Sequence, residues 1–286
     1  MNLASLMKVQ IQVQLERGET SDLSASLNRL NGLTQRLEDE PFLISQLVRI
    51  AMITLYTDAV SKVLAGMEPH PELYLEIKDQ LSRFPEPVVA YDWINGERIY
   101  MLAAWRSGSY LDMSGLTFED LLDEIRSVSD GLTYLAAPLC RVWDEWFFYQ
   151  TLSDVAIRYQ KPYPEIDWLR EERLFSEIPA LYFLSRGLSH FRKVRGKIAE
   201  AEAHLQLART GLALYESRLG AGTFPDDLSG ISDAEREDPF TAKSLKYEKT
   251  EAGFRLYSLG PNRIDDGGIK DRKSGADDLL WTDPNL

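Results

Sequence analysis

The chain has 286 residues, 44% of them hydrophobic and 27% charged, with a formal net charge of −13. This composition excludes a wholly disordered chain. The acidity is spread along the length, and no cluster of Lys and Arg forms a phosphate-binding face, so nucleic acid is excluded as a partner.

The single cysteine, Cys140, allows no internal disulfide; beside Pro138, Leu139, Val142 and Trp143 it reads as a buried, inert thiol. Met1 is followed by Asn2-Leu3-Ala4-Ser5 rather than by the basic start and apolar core of a signal peptide. No run of about 18 apolar residues occurs. The chain as written is expected to be soluble, reaching a membrane only through an anchor outside it.

In chain order, residues 1–17 and about 20–38 read as two helices broken at Arg17-Gly18-Glu19-Thr20. Asp39-Glu40-Pro41 opens a third, with Pro41 in its first turn and acids at the positive end of the helix dipole. Ile44, Leu47, Val48, Ala51 and Leu55 recur at helical spacing and predict its core face. The run from Phe42 to Tyr56 contains Ser45, Gln46, Arg49 and Thr54, so it reads as a core helix and not a membrane span. Gly66 and Pro69-His70-Pro71 end it. Helices are predicted at 72–84, 88–106, 118–128 (capped by Thr117), 132–160 (containing Pro138), about 165–176 and 180–190. No strict repeat period links them, so the prediction is an irregular α-helical array or bundle. Trp93, Trp105, Trp143, Trp146 and Trp168 fall in this stretch, which makes an aromatic core the main reading and an aromatic-lined groove the alternative.

The pattern then changes. Val194, Ile198, Ala201, Leu205, Ala208, Leu212, Tyr215 and Leu219 alternate by four and three residues, an apolar stripe on one long helix that ends at Gly220 and Gly222. That stripe either docks on the following β-region or pairs with another chain; small Ala201 and Ala208 favour docking. Thr223-Phe224-Pro225-Asp226 and Asp238-Pro239-Phe240 are turns, and Leu245–Glu248 and Phe254–Leu259 read as strands. A glycine-broken loop rich in aspartate follows, from Gly260 to Trp281. Carboxylates concentrated in such a loop suit a hard cation, Ca²⁺ above all; the plainer reading is a solvated loop of turn-forming Asp and Gly. No histidine lies in it and Cys140 is distant in sequence, which disfavours zinc and copper.

The ordered series Leu212-Ala213-Leu214-Tyr215, Gly222-Thr223-Phe224-Pro225, Asp238-Pro239-Phe240, Leu256-Tyr257-Ser258-Leu259-Gly260, Asp265-Asp266-Gly267-Gly268 and Ala276-Asp277-Asp278-Leu279, with Trp281 behind, resembles the C-terminal part of type II secretion major pseudopilins. The likeness covers about 90 residues. It implies a pilin-like module and a structural Ca²⁺ in the final loop. The ligands it implies are the Leu259 carbonyl, Asn262 at the position of the family's first acid, and the late pair Asp277 and Asp278. Asp265 and Asp266 are further candidates. The chain departs from the family at Pro261-Asn262-Arg263, which replaces Ala-Asp-Gly, in the bases Lys270, Arg272 and Lys273, and in carrying about 190 residues of predicted helix before the stem.

No catalytic or cofactor-binding constellation is recognised. His70 sits in an exposed turn, and His190 and His204 lie on helices without a motif around them. The acid pairs Asp144-Glu145 and Glu171-Glu172 read as solvated helix faces. The expectation is therefore a mainly α protein with two domains, a helical scaffold over 1–190 and a pilin-like α+β module over 191–286. Its expected role is non-enzymatic: a structural or interaction protein of a bacterial secretion or cell-envelope system, extracytoplasmic, acting through protein partners. The alternative is a helical adaptor holding a peptide or protein in an aromatic groove, and the third class is an α-helical hydrolase working through paired carboxylates.

Overall fold

The computed structural model describes residues 3–19, 22–68, 70–85, 92–107, 133–170, 173, 189–251, 253–271 and 275–281. The helices are α1 (Leu3–Glu16), α2 (Leu23–Gln35), α3 (Leu43–Gly66), α4 (Pro71–Ser82), α5 (Asp92–Ser107), α6 (Thr133–Arg158), α7 (Ser189–Ala221) and the short α8 (Asp233–Arg236), with a 3-10 turn at Tyr163–Glu165. The strands are β1 (Glu237–Asp238), β2 (Lys243–Ser244), β3 (Lys246–Lys249), β4 (Phe254–Ser258), β5 (Lys270–Asp271), β6 (Ala276–Asp277) and β7 (Leu279–Leu280). The fold is mainly α with a small antiparallel β-region near the C-terminus. The helices expected at 118–128 and 180–190, the pair Glu171-Glu172 and the side chains of Cys140 and His190 lie outside the described residues.

The chain forms two compact units. One comprises residues 1–40, 44–90 and 196–286; the other comprises 41–43 and 91–195. This division differs from the expected boundary at 190/191. The N-terminal helices fold together with the C-terminal module because α7 packs against α4 as well as against the β-region.

In the first unit, no residue of α7 from Ile198 to Tyr215 is exposed. The expected stripe is buried from Val194 to Tyr215, and only Leu219, 40% exposed, leaves it. Ala199, Ala203, Leu207 and Leu214, off the stripe, are buried as well. One side of α7 takes α4: Lys78 pairs with Glu216 at 2.9 Å, and the rings of Tyr74 and Tyr215 meet edge-on at 6.4 Å. Another takes the β-region: Tyr215, Phe224 and Phe254 pack edge to face at 4.9–5.8 Å. Trp281 lies so close to the helix that a Cβ on Gly211 would sit 2.6 Å from the indole. The stripe therefore docks within the chain, as aromatic and small residues at close approach allow.

The smaller helices pack through polar side chains. His70 is exposed, and its Nδ1 accepts from Leu73 N at 3.3 Å, capping α4. Arg49 and Gln46, buried on α3, cap the C-terminal end of α2. Arg49 Nε donates to the Thr34 carbonyl at 3.1 Å and Nη2 to Glu38 at 3.2 Å, while Gln46 Nε2 reaches the carbonyls of Leu37 and Glu40. These bonds correct the expected face of α3. The buried side is Gln46, Arg49, Ile50, Ile53, Tyr56 and Val60. Ile44 is 68% and Val48 40% exposed, Ala51 is exposed, and Leu47 and Leu55 are half-buried. A helix apolar all round carries no unique face in its periodicity, and the carbonyls of α2 select the side bearing donors. α3 is long and apolar enough to cross a membrane by length and composition alone, and it buries one side against its own chain.

The β-region has three antiparallel pieces: β1 with β2, the sheet β3-β4-β7, and β5 with β6. Lys246 faces Tyr257 and Lys249 faces Phe254 between β3 and β4; Ser258 faces Leu279 between β4 and β7. Phe254, Leu256 and Ser258 alternate inward, as a half-buried strand requires.

In the second unit, α5 and α6 pack together through Arg98, which donates to Ser153 Oγ at 3.2 Å and lies over the Tyr149 ring at 4.5 Å. Trp93 stacks on Phe191 at 5.5 Å in its core. The expected aromatic core holds for Trp93 and fails for Trp143 and Trp146, which are 57% and 55% exposed.

Candidate functional site

The acidic loop leaves β4 at Leu259-Gly260 and returns through β6 to β7. Gly260 takes φ +61°, and a Cβ there would lie 2.0 Å from the Asp277 carbonyl oxygen, so only glycine lets the two ends of the loop meet. The entrance is fixed by Asp238, which is buried in the Asp-Pro-Phe turn. Its Oδ1 accepts from Phe240 N at 3.0 Å and from Ser258 Oγ at 2.8 Å, and its Oδ2 accepts from Leu259 N at 3.0 Å. One carboxylate thus joins the turn before β2 to the loop after β4. Asp-Pro-Phe and Ser-Leu-Gly were both legible as turn motifs, but nothing in either marks the bond between them.

Of the six expected ligand residues, Asp265 stands apart, Leu259 is tied to Asp238, and the other four are linked to one another. Asp265 is drawn outward: Oδ1 accepts from Tyr257 OH at 2.9 Å and Oδ2 pairs with Lys246 at 2.9 Å. Those bonds hold its carboxyl below the usual range, while burial and the bond to Asp265 push the Tyr257 phenol up to about 12. Asp266, Asp278 and Asn262 are joined by hydrogen bonds, and Asp277 joins them through its backbone N–H. Asp266 Oδ2 accepts from Asn262 Nδ2 at 2.9 Å and from Asp277 N at 3.1 Å. Asn262 Oδ1 accepts from Ile264 N at 2.9 Å. Leu259 contributes its N–H to Asp238, and Asp277 turns its carbonyl to Gly260.

Asp278 is fully buried. Its Oδ2 accepts from Asp266 N at 3.0 Å and Gly268 N at 2.7 Å, while its Oδ1 has no hydrogen-bond partner. Burial raises its carboxyl above the usual range, opposed by the bond from Gly268 N and reinforced by the charge of Asp266. A buried carboxylate with a bare oxygen beside a second carboxylate lacks a positive charge. Asp266 and Asp278 are the side chains suited to hold a cation, whereas Asn262 turns its NH₂ to Asp266 and its Oδ1 to Ile264 N. Among the described residues no three of His, Cys, Asp and Glu come together as a metal-holding group.

Of the acid pair Asp144-Glu145, Asp144 is buried, contrary to the expected solvated face, and Glu145 accepts from Arg106 at 2.9 Å. Compared with known proteins, the chain matches no family model, no curated protein and no solved structure.

Proposed function

We propose that this chain is a non-enzymatic structural or interaction protein of a bacterial secretion or cell-envelope system. In this reading its C-terminal part is a pilin-like module whose acidic loop takes up one Ca²⁺ between Asp266 and Asp278. The observation that carries the cation is the bare, buried Oδ1 of Asp278. Ca²⁺ takes about six to eight oxygens, so backbone carbonyls of the loop complete the set. The ion does no chemistry; it offsets the buried charge and orders the loop against β4 and β7. The order of a long stem helix, turns, paired strands and a returning loop supports the pilin-like reading, as does the Asp238 bond that ties the turn to the loop. Thermal melts in chelator and in millimolar CaCl₂ test it: the melting temperature rises with Ca²⁺ in the wild type and stays fixed in Asp266→Ala.

A second reading, an adaptor, draws on α6. Trp143 and Trp146 meet edge-on at 6.0 Å, and both are more than half exposed, as aromatic anchors of a protein-binding surface would be. Replacing both by Ser while retaining the fold, and losing a protein partner captured by the wild type, would favour it over the first.

A further inference from the structure

A groove of about 560 Å³ lies between α2 and α4, within the first unit. Asn31 Nδ2 ties the two helices together by donating to the Gln80 carbonyl at 3.3 Å. Along α4 the groove extends from Leu75 to Arg83, about 12 Å at 1.5 Å per residue, which is the length of about three or four residues of extended chain. Gln80 lines it and is 3% exposed. Its Oε1 accepts from Tyr56 OH at 3.1 Å, and among the described residues its Nε2 donates to nothing. A buried donor without an acceptor is costly, and the groove is the space from which an acceptor would reach this one. On the α2 side Asn28 is exposed, a second carboxamide with no partner among the described residues. The acids of the groove are half used. Glu76 accepts from Ser24 through Oε2, and Asp79 holds Arg83 through Oδ2. Glu76 Oε1 and Asp79 Oδ1 stay open, and two acids stand against one base. Leu75, exposed beside them, adds an apolar patch.

We propose that this groove binds a short extended segment of a partner protein that carries a lysine. The peptide group matches the two carboxamides: a carbonyl accepts from Gln80 Nε2, and an N–H donates to Asn28 Oδ1. The lysine lays its methylenes on Leu75 and brings its ammonium to Glu76 and Asp79. A sugar would meet the same donors and acceptors. It fits less well, because none of the lining residues is aromatic and a neutral ligand leaves the excess acid unpaired. The site shares no residue with the acidic loop, so it stands or falls apart from the cation.

NMR titration of the full chain with acetyl-Ala-Lys-Ala-Ala-amide tests this, read at the side-chain NH₂ resonances of Gln80 and Asn28. Both are expected to shift saturably. The affinity should fall at least about fivefold for acetyl-Ala-Glu-Ala-Ala-amide, and about fivefold for the lysine peptide on Glu76→Gln, a surface change that keeps an oxygen for Ser24. Gln80→Met should lose the peptide altogether; should it not fold, Glu76→Gln and the Gln80 resonance of the wild type carry the test. No saturable shift at Gln80 up to about 10 mM lysine peptide would overturn the proposal, as would equal binding of the glutamate peptide. A shift with maltose and none with the lysine peptide would overturn it in favour of a carbohydrate.

Discussion

Asp238→Ala should be among the most damaging single substitutions in the β-region. The side chain is 1% exposed and accepts three hydrogen bonds, from Phe240 N, Ser258 Oγ and Leu259 N. Removing it leaves two amides and a hydroxyl without acceptors in a space closed to water. A hydrogen bond to a charged acceptor contributes about 1.5–3 kcal/mol, and a stranded buried donor costs about 1–3 kcal/mol. The Ser258 hydroxyl can rotate toward another acceptor and counts least, so the expected loss is about 3–5 kcal/mol. Asp238→Asn keeps one oxygen for Phe240 and Ser258 but turns an NH₂ toward Leu259 N, for an expected loss of about 2 kcal/mol. Ser258→Ala should cost about 1 kcal/mol and be less than additive with Asp238→Ala, because the two share a bond. Urea denaturation followed by circular dichroism and tryptophan fluorescence reads these values from the transition of the first unit. If Asp238→Ala and Asp238→Asn both remain within about 1 kcal/mol of wild type, the claim that this carboxylate joins the turn to the loop is wrong.

Three further outcomes follow from the packing and the charges. Gly211→Ala forces its Cβ against the Trp281 indole; the overpacking cost of about 1–3 kcal/mol should equal or exceed the roughly 1 kcal/mol gained in helix propensity, with a shift in tryptophan emission as the ring moves. Arg49→Ala strands the Thr34 carbonyl and Glu38, and denaturation should show a loss of about 3 kcal/mol or more. Asp278→Asn should act with opposite signs in two conditions. Without cation, the raised carboxyl of Asp278 means that stability falls as pH rises through its titration, and the Asn variant should lose that dependence in chelator melts from pH 3 to 8. With Ca²⁺ the same variant should be the less stable protein.

Local pattern carried much of this fold. The four-three stripe from Val194 to Tyr215 marked α7, and the alternation of Phe254, Leu256 and Ser258 marked β4, because both periods are properties of single elements. The face of α3 was misread because apolar residues surround that helix, and the deciding groups were Gln46 and Arg49 meeting the carbonyl end of α2. The grouping of the N-terminal helices with the C-terminal module escaped for a related reason. A helix that is buried on several sides shows one stripe clearly and the others only as an excess of Ala and Leu. At the loop, Asp and Gly pointed to the right segment, but not to the division of labour within it. Asp265 turns to Lys246 and Tyr257, whereas Asp278 turns inward, and that depends on strand register rather than on residue type.

Equilibrium dialysis of the full chain against millimolar Ca²⁺ tests the central claim most directly. Wild-type protein should retain one Ca²⁺ per chain and release it in chelator, and Asp278→Asn should retain none. A wild type that holds no Ca²⁺, or an Asp278→Asn variant that holds as much as wild type, would contradict the assignment.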